Sequence, residues 1–429
     1  MKCDIIIPVW NQLSHTKRCL ESIRQHADYP YRIIVIDNGS EKDTKDFLDR
    51  QKRENGELLV ITNEANRGYI RAINQGLAAA TADYICLLNN DTVVTEGWLS
   101  RMISLAESDP RIGIVNPQGN VGRKLKKLTR LTEISASLMQ NQGEYVELER
   151  CSGFCFLFKR EVLEAVGYFD ESFGMGYFED SDYCQRAREK GYLSVRALDS
   201  YVYHYMGESF RKLKDRQKLF DENKALFWLK WGRVPQIIYP FPEILPGEEA
   251  GLGRYIRTCH ALARERCKVK SILGRASNPT KDFSSWYGLK RHINLRFYAF
   301  PGFKIIFLWK SAFYLFCLLK IRHLIKKGKG DLVLLGDLKL ASFLLKFKRF
   351  LKVPFIFEAD ETFRWASQKI KRRTNYVLNE VQAIITPIPA WQKEIAEEFA
   401  PDAPIHLVTE QGEERAKRII EIAKGLLGW

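Results

Sequence analysis

Short apolar runs alternate with helix-length amphipathic segments along the first 90 positions of the chain. The runs are too short for helices, whereas the segments between them have helical periodicity. Strands are predicted at 4–8, 32–37, 58–62 and 84–88, and helices near 14–26, 42–51 and 70–80. Because these strands are apolar throughout, the pattern predicts a parallel sheet covered by helices on both faces.

A second series of the same kind follows a charged helix pattern that begins after Ser209 and ends near Lys230. The turn at Gly232 ends that helix, and we predict the domain boundary there. Further strands are predicted at 236–239, 268–273, 332–335, 355–358, 383–386 and 405–408, and a last helix at 413–427. The predicted fold class is therefore α/β, with one Rossmann-like domain at residues 1–232 and a second at 233–429, which fits the length of the chain.

Polar residues follow each of the first four predicted strands. These clusters are Trp10-Asn11, Asp37-Asn38-Gly39-Ser40, residues 63–68 and Asn89-Asn90-Asp91. In open parallel sheets, ligands bind at the carboxyl ends of the strands. The four clusters therefore predict a binding site along one edge of the first sheet.

Composition narrows the class of protein only slightly. The chain has 45% hydrophobic and 28% charged residues, as globular proteins do. Its nine cysteines are an odd number without short paired spacings, so we predict reduced, mostly buried thiols and no disulfide framework. Cys151 and Cys155 are interpreted as core residues rather than as half of a metal site.

The net charge of +15 fits three kinds of partner: nucleic acid, an anionic membrane surface or phosphate-bearing substrates. A solvated basic face explains it equally well. We reject nucleic acid, because no compact recognition motif is present. The start of the chain lacks a signal-peptide pattern, and Lys304 and Lys310 interrupt the apolar stretch 297–319, so we expect a cytoplasmic protein without a membrane span.

Three groups of residues suggest chemistry. Asp91 ends a buried strand and could hold a divalent cation, although Asn-Asp-Thr is also ordinary turn chemistry. Glu179 and Asp180 begin a helix after a loop rich in glycine and aromatic residues; they could complement the helix dipole or provide a general base. His204 follows an apolar strand and is either a metal ligand or an ordinary polar residue.

Seven stretches occur in a characteristic order: IIIPVWNQ, VIDNGS, NEANRGYIRAINQG, LLNNDT, CSGFCFLFKREVLEAVGYFDESF, FEDSDYCQRAREKGY and VYHYMGES. With them, residues 1–232 resemble a family 2 glycosyltransferase of the GT-A fold, from the branch that includes rhamnosyltransferases of bacterial surface polysaccharides. The resemblance implies an inverting transfer of sugar from a UDP- or dTDP-linked donor to a hydroxyl of a saccharide, lipid-linked or protein-linked acceptor.

The resemblance also implies a role for each matching residue. The nucleotide-sugar site would comprise Pro8, Trp10, Asn11, Asp37, Asn38, Asn66, Gly68, Arg71, Asn74 and Asn90, of which Asp37 and Asn38 would contact the base. Asp91 and His204 would hold Mn²⁺ or Mg²⁺. Asp180 would be the catalytic base, and Glu179 would contact the acceptor hydroxyl. Asn89 stands where the family's Asp-x-Asp motif has its first acid.

Residues 233–429 resemble the N-terminal half of a GT-B glycosyltransferase of the family 4 type. The similar stretches begin at IIYPFPEILPGEEAGLGRYIRTCHALARERCKVKSIL and GDLVLLGDLKLASFLLKFKRFLKVPFIFEADE, and end with VQAIITPIPAWQKEIAEEF. The donor-binding half of that fold is missing, so we expect a non-catalytic domain for acceptor docking, homo-oligomerisation or peripheral membrane contact through residues 286–329. The alternative for the whole protein is a nucleotide-sugar-binding scaffold whose active site has decayed.

Overall fold

In the computed structural model, the chain forms two compact units, Met1–Gly232 and Arg233–Trp429. The structure describes residues 1–54, 56, 58–120, 130–205, 215–241, 249–274, 289–300, 306–359 and 368–429. Lys304 and the start of the basic aromatic stretch, 286–288, lie outside the described residues. Each unit is built around hydrophobic cores of its own.

The first unit contains nine strands and eight α-helices among its described residues. Its strands are β1 (Cys3–Val9), β2 (Tyr31–Asn38), β3 (Leu58–Asn63), β4 (Tyr84–Leu88), β5 (Thr92–Val94), β6 (Ile112–Gln118), β7 (Tyr145–Glu147), β8 (Cys155–Lys159) and β9 (Leu193–His204). Its helices are α1 (Leu13–His26), α2 (Lys42–Glu54), α3 (Tyr69–Ala79), α4 (Trp98–Glu107), α5 (Leu131–Leu138), α6 (Arg160–Val166), α7 (Glu179–Glu189) and α8 (Arg216–Trp231).

The sheet of the first unit is mixed rather than wholly parallel. Strands β3, β2, β1 and β4 are parallel neighbours in that order. Strand β8 then pairs antiparallel with both β4 and β6, and β9 lies parallel to β6. Strands β5 and β7 pair antiparallel with β9. The prediction of parallel strands concerned β1 to β4 and is confirmed, and the antiparallel pairs all involve strands outside that prediction.

Helices cover both faces of the parallel half. Ile5 and Ile7 of β1 lie in one core, and Ile6 between them lies in the other. Helix α3 approaches β1 so closely that a Cβ at Gly76 would lie 2.4 Å from a methyl carbon of Ile6. The absence of a side chain at this position therefore sets the distance between α3, which begins at the predicted binding edge, and the sheet.

The second unit is a parallel α/β sheet. The strands of this sheet are β10 (Gln236–Phe241), β11 (Lys268–Leu273), β13 (Leu295–Ala299), β14 (Leu332–Leu335), β15 (Phe355–Glu358), β16 (Ala383–Thr386) and β17 (Ile405–Leu407), and the unit's two-residue strand β12 (Arg291–His292) is not part of it. Its helices are α9 (Glu249–Arg264), α10 (Ile306–Lys326), α11 (Leu338–Leu345), α12 (Lys348–Leu351), α13 (Gln368–Glu380), α14 (Pro389–Phe399) and α15 (Gly412–Leu427).

The strand order of this second sheet is β13-β11-β10-β14-β15-β16-β17, and all neighbours are parallel. The chain therefore starts in the middle and winds outward in both directions, as in Rossmann-like folds. The predicted fold class, two Rossmann-like α/β domains, is confirmed. The correspondence of the second unit to half of a GT-B fold stays a prediction.

The cysteines and the helices also bear on predictions made from the sequence. All nine cysteines are buried free thiols, as predicted. Within the described ranges, no helix, α10 included, combines the length and the apolar character that a membrane span requires.

Candidate active site

The loops after β1 and β2 are joined by hydrogen bonds at the predicted binding edge. The Asn11 backbone N–H donates to Ser40 Oγ (2.9 Å), and the side-chain Asn11 Oδ1 accepts from the Glu41 backbone N–H (2.7 Å). The buried Asp37 in turn accepts the Ser40 N–H at 3.0 Å. Gly39 has φ +76°, and a Cβ there would lie 2.6 Å from the Ala65 backbone, so only glycine fits.

Asn38, at the end of β2, makes hydrogen bonds to several residues at and after the end of β3. Its Nδ2 donates to Asn66 Oδ1 (2.9 Å) and to the Gly68 carbonyl (3.2 Å). Its Oδ1 accepts from Asn63 Nδ2 and from the Arg67 N–H, both at 3.0 Å. These four bonds occupy both donors and both lone pairs of the amide. Asn38 therefore shapes the loop, and the contact with the base that the resemblance implied stays a prediction.

Two residues predicted to hold ribose and diphosphate contact another loop instead. Arg71 Nε lies 3.0 Å from Glu171 Oε2, in a largely exposed ion pair. Asn74 exchanges hydrogen bonds with the Phe169 backbone, donating to its carbonyl and accepting its N–H, both at 3.0 Å. In this form, both residues join α3 to residues 169–171, so they position the loop before α7.

Asp91 and His204 form the predicted pair of metal ligands. Strand β5 pairs with β9 so that Thr92 lies opposite His204, which brings the preceding Asp91 beside the imidazole. His204 Nε2 lies 3.0 Å from Asp91 Oδ1. The Phe154 ring stacks on the imidazole at 5.2 Å between centroids and 10° between planes. The two side chains thus converge from neighbouring strands on one point.

The Asp91 carboxylate and the His204 imidazole can bind a hard divalent cation, but they provide only part of the ligands that such a cation needs. No cluster of three or more His, Cys, Asp or Glu side chains able to hold a metal occurs among the described residues. Asn90 donates to Thr16 Oγ1 (3.0 Å), and Asn89 Oδ1 lies 3.2 Å from the Tyr69 hydroxyl. Magnesium sites commonly combine one or two protein ligands with substrate phosphates and water, and a carboxylate–imidazole pair fits that pattern.

Helix α7 carries the second group of acids, and the two residues that precede it have a strained backbone conformation. Tyr177 and Phe178 have φ of 72° and 70°, a left-handed conformation that is costly for side chains of this size. The Asp180 carboxylate accepts the Ser181 N–H (2.6 Å), the Ser181 hydroxyl (3.1 Å) and the Gly153 N–H (3.2 Å). Three donors hold its two oxygens in a fixed direction.

Glu179 beside it has a different environment. The side chain is buried, and its Oε2 has no hydrogen-bond partner in the described structure. Burial, with the neighbouring Asp180 charge, raises the pKa of Glu179 to about 8. Burial also raises the pKa of Asp180, while its three hydrogen-bond donors oppose that effect. Glu179, whose Oε2 lacks such donors, is therefore the member of the pair that holds a proton more readily.

Tyr69, which sequence reasoning missed, lies between Asn89, two residues before Asp91, and Gly153, whose N–H donates to Asp180. Its hydroxyl lies 3.2 Å from Asn89 Oδ1 and 3.1 Å from the Gly153 carbonyl oxygen. Burial raises its pKa, and the charges of Glu179, Asp180 and Asp91 add to that shift. A Cβ at Gly153 would lie 3.4 Å from the Tyr69 hydroxyl and 3.8 Å from Glu179 Oε1. No spacing in the sequence indicates this contact, because it joins residues 84 positions apart.

The third acid of α7, Asp182, is structural. It is fully buried and contacts Arg186 (2.8 Å), Lys230 (2.7 Å) and the Trp231 indole N–H (2.9 Å). Asn223 of α8 donates to three carbonyls of the loop before α7, those of Phe173, Gly176 and Tyr177. Helix α8 therefore supports the acidic loop, and the charge pattern of that helix did not indicate it.

The remaining predicted residues lie at the same edge. Pro8 lies near the end of β1 and Trp10 follows that strand; both are partly exposed, and Gly68 precedes α3. A Cβ at Gly68 would lie 3.1 Å from the sulfur of Met175, so the loops after β3 and before α7 touch there. The structure thus places Asp91 beside His204, and Tyr69 contacts Asn89 near that pair and Gly153, which donates to Asp180, in an α/β unit whose strand ends carry amide and carboxylate groups.

This arrangement is that of an α/β domain with polar groups gathered at the carboxyl ends of its strands, where such domains bind ligands. Residues 4–167 match the family described as "Glycosyl transferase family 2". They therefore form a domain of that family, which includes Asp91; Glu179, Asp180 and His204 lie beyond the matched residues.

Curated relatives match only part of the chain. A poly-beta-1,6-N-acetyl-D-glucosamine synthase of Staphylococcus aureus is 32% identical over 143 residues, which are 32% of this chain and 34% of the relative. An uncharacterized protein, y4gI, of Sinorhizobium fredii is 26% identical over 224 residues, 48% of this chain and 24% of the relative. The chain thus aligns with about a quarter to a third of the length of these relatives.

Solved structures show a weaker likeness. The mannosyltransferase PcManGT of Pyrobaculum calidifontis, in complex with GDP-Man and Mn²⁺, is 19% identical with a TM-score of 0.41, covering 52% of this chain and 64% of that chain. GalNAc-T7, with UDP, GalNAc and Mn²⁺, is 20% identical with a TM-score of 0.40, covering 54% of this chain and 51% of that chain.

Proposed function

We propose that the first unit transfers a sugar from a UDP- or dTDP-linked donor to a hydroxyl of a saccharide, lipid-linked or protein-linked acceptor, with inversion at the anomeric carbon. The observation that carries the proposal is the Asp91–His204 contact together with Tyr69, which joins Asn89 near that pair to Gly153, whose N–H donates to Asp180. The family of residues 4–167 supports this class of reaction. The synthase among the relatives supports a place in surface polysaccharide synthesis.

Donor binding would use the edge formed by the loops after β1, β2 and β3. Trp10 and Asp37 would border the base, and the loop held by Asn38 would face the ribose and diphosphate. Asp91 and His204 would hold Mn²⁺ or Mg²⁺, which would stabilise the charge of the leaving diphosphate as a Lewis acid. Asn89 leaves this site with one carboxylate fewer than the family motif has, so we expect weaker metal affinity than an Asp-x-Asp site would give.

Acceptor activation would belong to Asp180. Its anionic carboxylate would accept the proton of the acceptor hydroxyl as that oxygen attacks the anomeric carbon. The protonated Glu179 would donate a hydrogen bond to the acceptor without adding a second negative charge next to the base. A single displacement of this kind inverts the anomeric configuration.

The test is a panel of nucleotide sugars assayed for transfer and hydrolysis with Mn²⁺, Mg²⁺ or a chelator. In the Asp180→Asn variant, kcat should fall by about 10²–10⁴-fold, the usual contribution of a general base, while the nucleotide Kd changes little. Glu189→Gln, a change at an exposed acid of the same helix, is the matched control. Full activity of Asp180→Asn would refute the assignment of the base.

The alternative is a nucleotide-sugar-binding scaffold without turnover. Asn89 favours it, as does the lack of a third metal-ligating side chain among the described residues. Such a scaffold would bind UDP or dTDP yet turn over no donor on the panel. Restoring the acid with Asn89→Asp should then raise metal affinity but leave the rate at background, whereas in an active enzyme it should lower the Mn²⁺ concentration needed for half-maximal rate.

A further inference from the structure

Helix α10 in the second unit has one buried and one exposed apolar face. Phe313, Cys317 and Ile321 lie fully buried in the core of the unit. On the opposite side, Leu315 and Leu319 are 51% and 57% exposed, one helical turn apart. The packing of this unit therefore leaves more than half of each leucine exposed to solvent.

Helices α11 and α12 extend the exposed surface. Phe347 and Phe350 are 37% and 45% exposed. The Arg322 guanidinium of α10 lies 3.3 Å from the centroid of the Phe350 ring and donates to the Phe350 carbonyl at 2.9 Å. This contact joins α10 and α12 into one surface, which we call the basic apolar face. It comprises Leu315, Leu319, Arg322, Lys326, Phe347 and Phe350.

Positive charge surrounds these apolar side chains. Lys326, Lys346 and Arg349 are exposed around the face. Between residues 311 and 354, the only acids in the sequence are Asp331 and Asp337. Both are engaged, since Asp331 accepts the Gln236 N–H and Asp337 caps α11 through the Leu340 N–H. The acid of the neighbouring helix α13, Glu380, pairs with Lys348. The face is therefore cationic with little local compensation.

We propose that the basic apolar face docks on an anionic lipid bilayer surface. Exposed Leu and Phe side chains can enter the interface between headgroups and acyl chains, while neighbouring Lys and Arg contact lipid phosphates. A second copy of this face would oppose like charges, and a nucleic acid would leave the leucines without a partner. The docking surface lies in the second unit and does not depend on the catalytic proposal for the first.

The experiment is cosedimentation of the full chain with lipid vesicles. Vesicles of phosphatidylcholine with about 30% phosphatidylserine should bind the protein, whereas pure phosphatidylcholine vesicles should bind it at least tenfold more weakly. Raising NaCl from about 0.1 M to 0.5 M should release most of the bound protein, because salt screens exposed charges. Equal binding to both vesicle types would contradict the proposal.

Two variants test which residues are responsible. Each basic residue near an anionic surface strengthens binding by about fivefold, so Lys326→Gln/Lys346→Gln/Arg349→Gln should weaken it roughly 100-fold. Leu315→Ser/Leu319→Ser should weaken it at least about tenfold through the lost apolar contact. Thermal unfolding checks that each variant is folded; the triple variant replaces only exposed side chains and keeps the test available if the leucine variant unfolds.

Matched controls come from the first unit. Leu229 of α8 is 85% exposed, so Leu229→Ser removes a leucine that is even more accessible than Leu315 and Leu319 and lies outside the face. Lys218→Gln likewise removes an exposed lysine of α8. Both controls should bind vesicles like the unchanged protein. If the leucine variant dissociates a dimer while no vesicle binds the protein, the face is an interface between copies and the proposal fails.

Discussion

At the residue scale, two adjacent carboxyl groups differ because their surroundings differ. Asp180 has three hydrogen-bond donors, and Glu179 has a buried oxygen without a partner. A base must be anionic and directed, whereas a neutral acid can donate a hydrogen bond to the acceptor. The sequence places both acids at the start of a helix, but it does not indicate which of them keeps the proton. That distinction requires the Gly153 N–H, which lies 27 positions away along the chain.

The raised pKa of Glu179 predicts a pH dependence of stability. An unfolded Glu titrates near 4.5, and the folded one near 8, so the folded state binds the proton more tightly. The contribution of this group is therefore complete below pH 4.5 and is lost as pH rises towards 8. Glu179→Gln removes the effect, so the unfolding free energy of the variant minus that of the unchanged protein should rise by up to about 1.4 kcal/mol per pH unit in this window.

Urea unfolding at pH 5, 6, 7 and about 8 measures that difference. The same series on Glu189→Gln, at an exposed position of α7, should give a difference that does not depend on pH. A flat series for Glu179→Gln as well would mean that Glu179 is ionised in the folded protein at neutral pH.

Tyr69 allows a second prediction at this scale. Tyr69→Phe removes the hydroxyl between Asn89 and Gly153, so the two acid groups should lose their fixed spacing. We expect kcat to fall by about tenfold or more, with the nucleotide Kd changed by less than about threefold, because positioning acts on the transition state. Tyr183→Phe is the control, since that buried hydroxyl has no hydrogen-bond partner in the described structure. A larger effect on Kd than on kcat would place Tyr69 in donor binding instead.

At the element scale, the sequence predicted the parallel strands more completely than the antiparallel ones. The strands 4–8, 32–37, 58–62 and 84–88 are confirmed, with observed bounds that differ by about one residue at most. Their carboxyl ends meet as expected, as the bonds of Asn11 and Asn38 demonstrate. Strands β5 and β7, of three residues each, carry too little periodicity to be detected. The position of His204 beside Asp91 depends on β5, so that pairing could not be derived from strand pattern alone.

Helix α8 contributes to the site through one buried amide. Asn223 Nδ2 donates to the carbonyls of Phe173 (2.7 Å) and Gly176 (2.7 Å), which helps to hold the left-handed residues before α7. Asn223→Ala leaves these buried carbonyls without that donor, so it should cost about 1–3 kcal/mol of unfolding free energy. The acceptor KM should rise while the nucleotide Kd stays unchanged. Glu222→Ala, at an exposed neighbouring position, should change neither, and an unchanged acceptor KM in Asn223→Ala would show that the loop does not bind acceptor.

At the scale of the whole molecule, the two units differ in their similarity to a known family. The family match ends at residue 167, and the second unit lies wholly outside it. The sequence pattern predicted a Rossmann-like sheet there, and the strand order agrees. Its function does not follow from that fold, because Rossmann-like sheets serve many unrelated activities. Surface chemistry, as on the basic apolar face, therefore gives the more specific hypothesis.

The separate cores predict that the first unit is sufficient for the chemistry. Residues 1–232 hold the Asp91–His204 pair, the Glu179–Asp180 pair and α8. The core clusters of this unit contain no residue beyond 232, so a fragment of residues 1–232 should unfold as one cooperative transition and bind UDP or dTDP as the full chain does. Calorimetry and nucleotide titration measure both properties.

Vesicle binding should disappear in the same fragment, because the basic apolar face lies at residues 315–350. If the acceptor is presented at a lipid surface, the fragment should keep its rate with a water-soluble acceptor and lose rate only with a lipid-linked acceptor in vesicles. A fragment that folds and binds nucleotide, yet turns over neither kind of acceptor, would show that the second unit takes part in the reaction itself. Loss of rate on vesicles alone would instead assign the second unit the task of bringing the active site to its substrate.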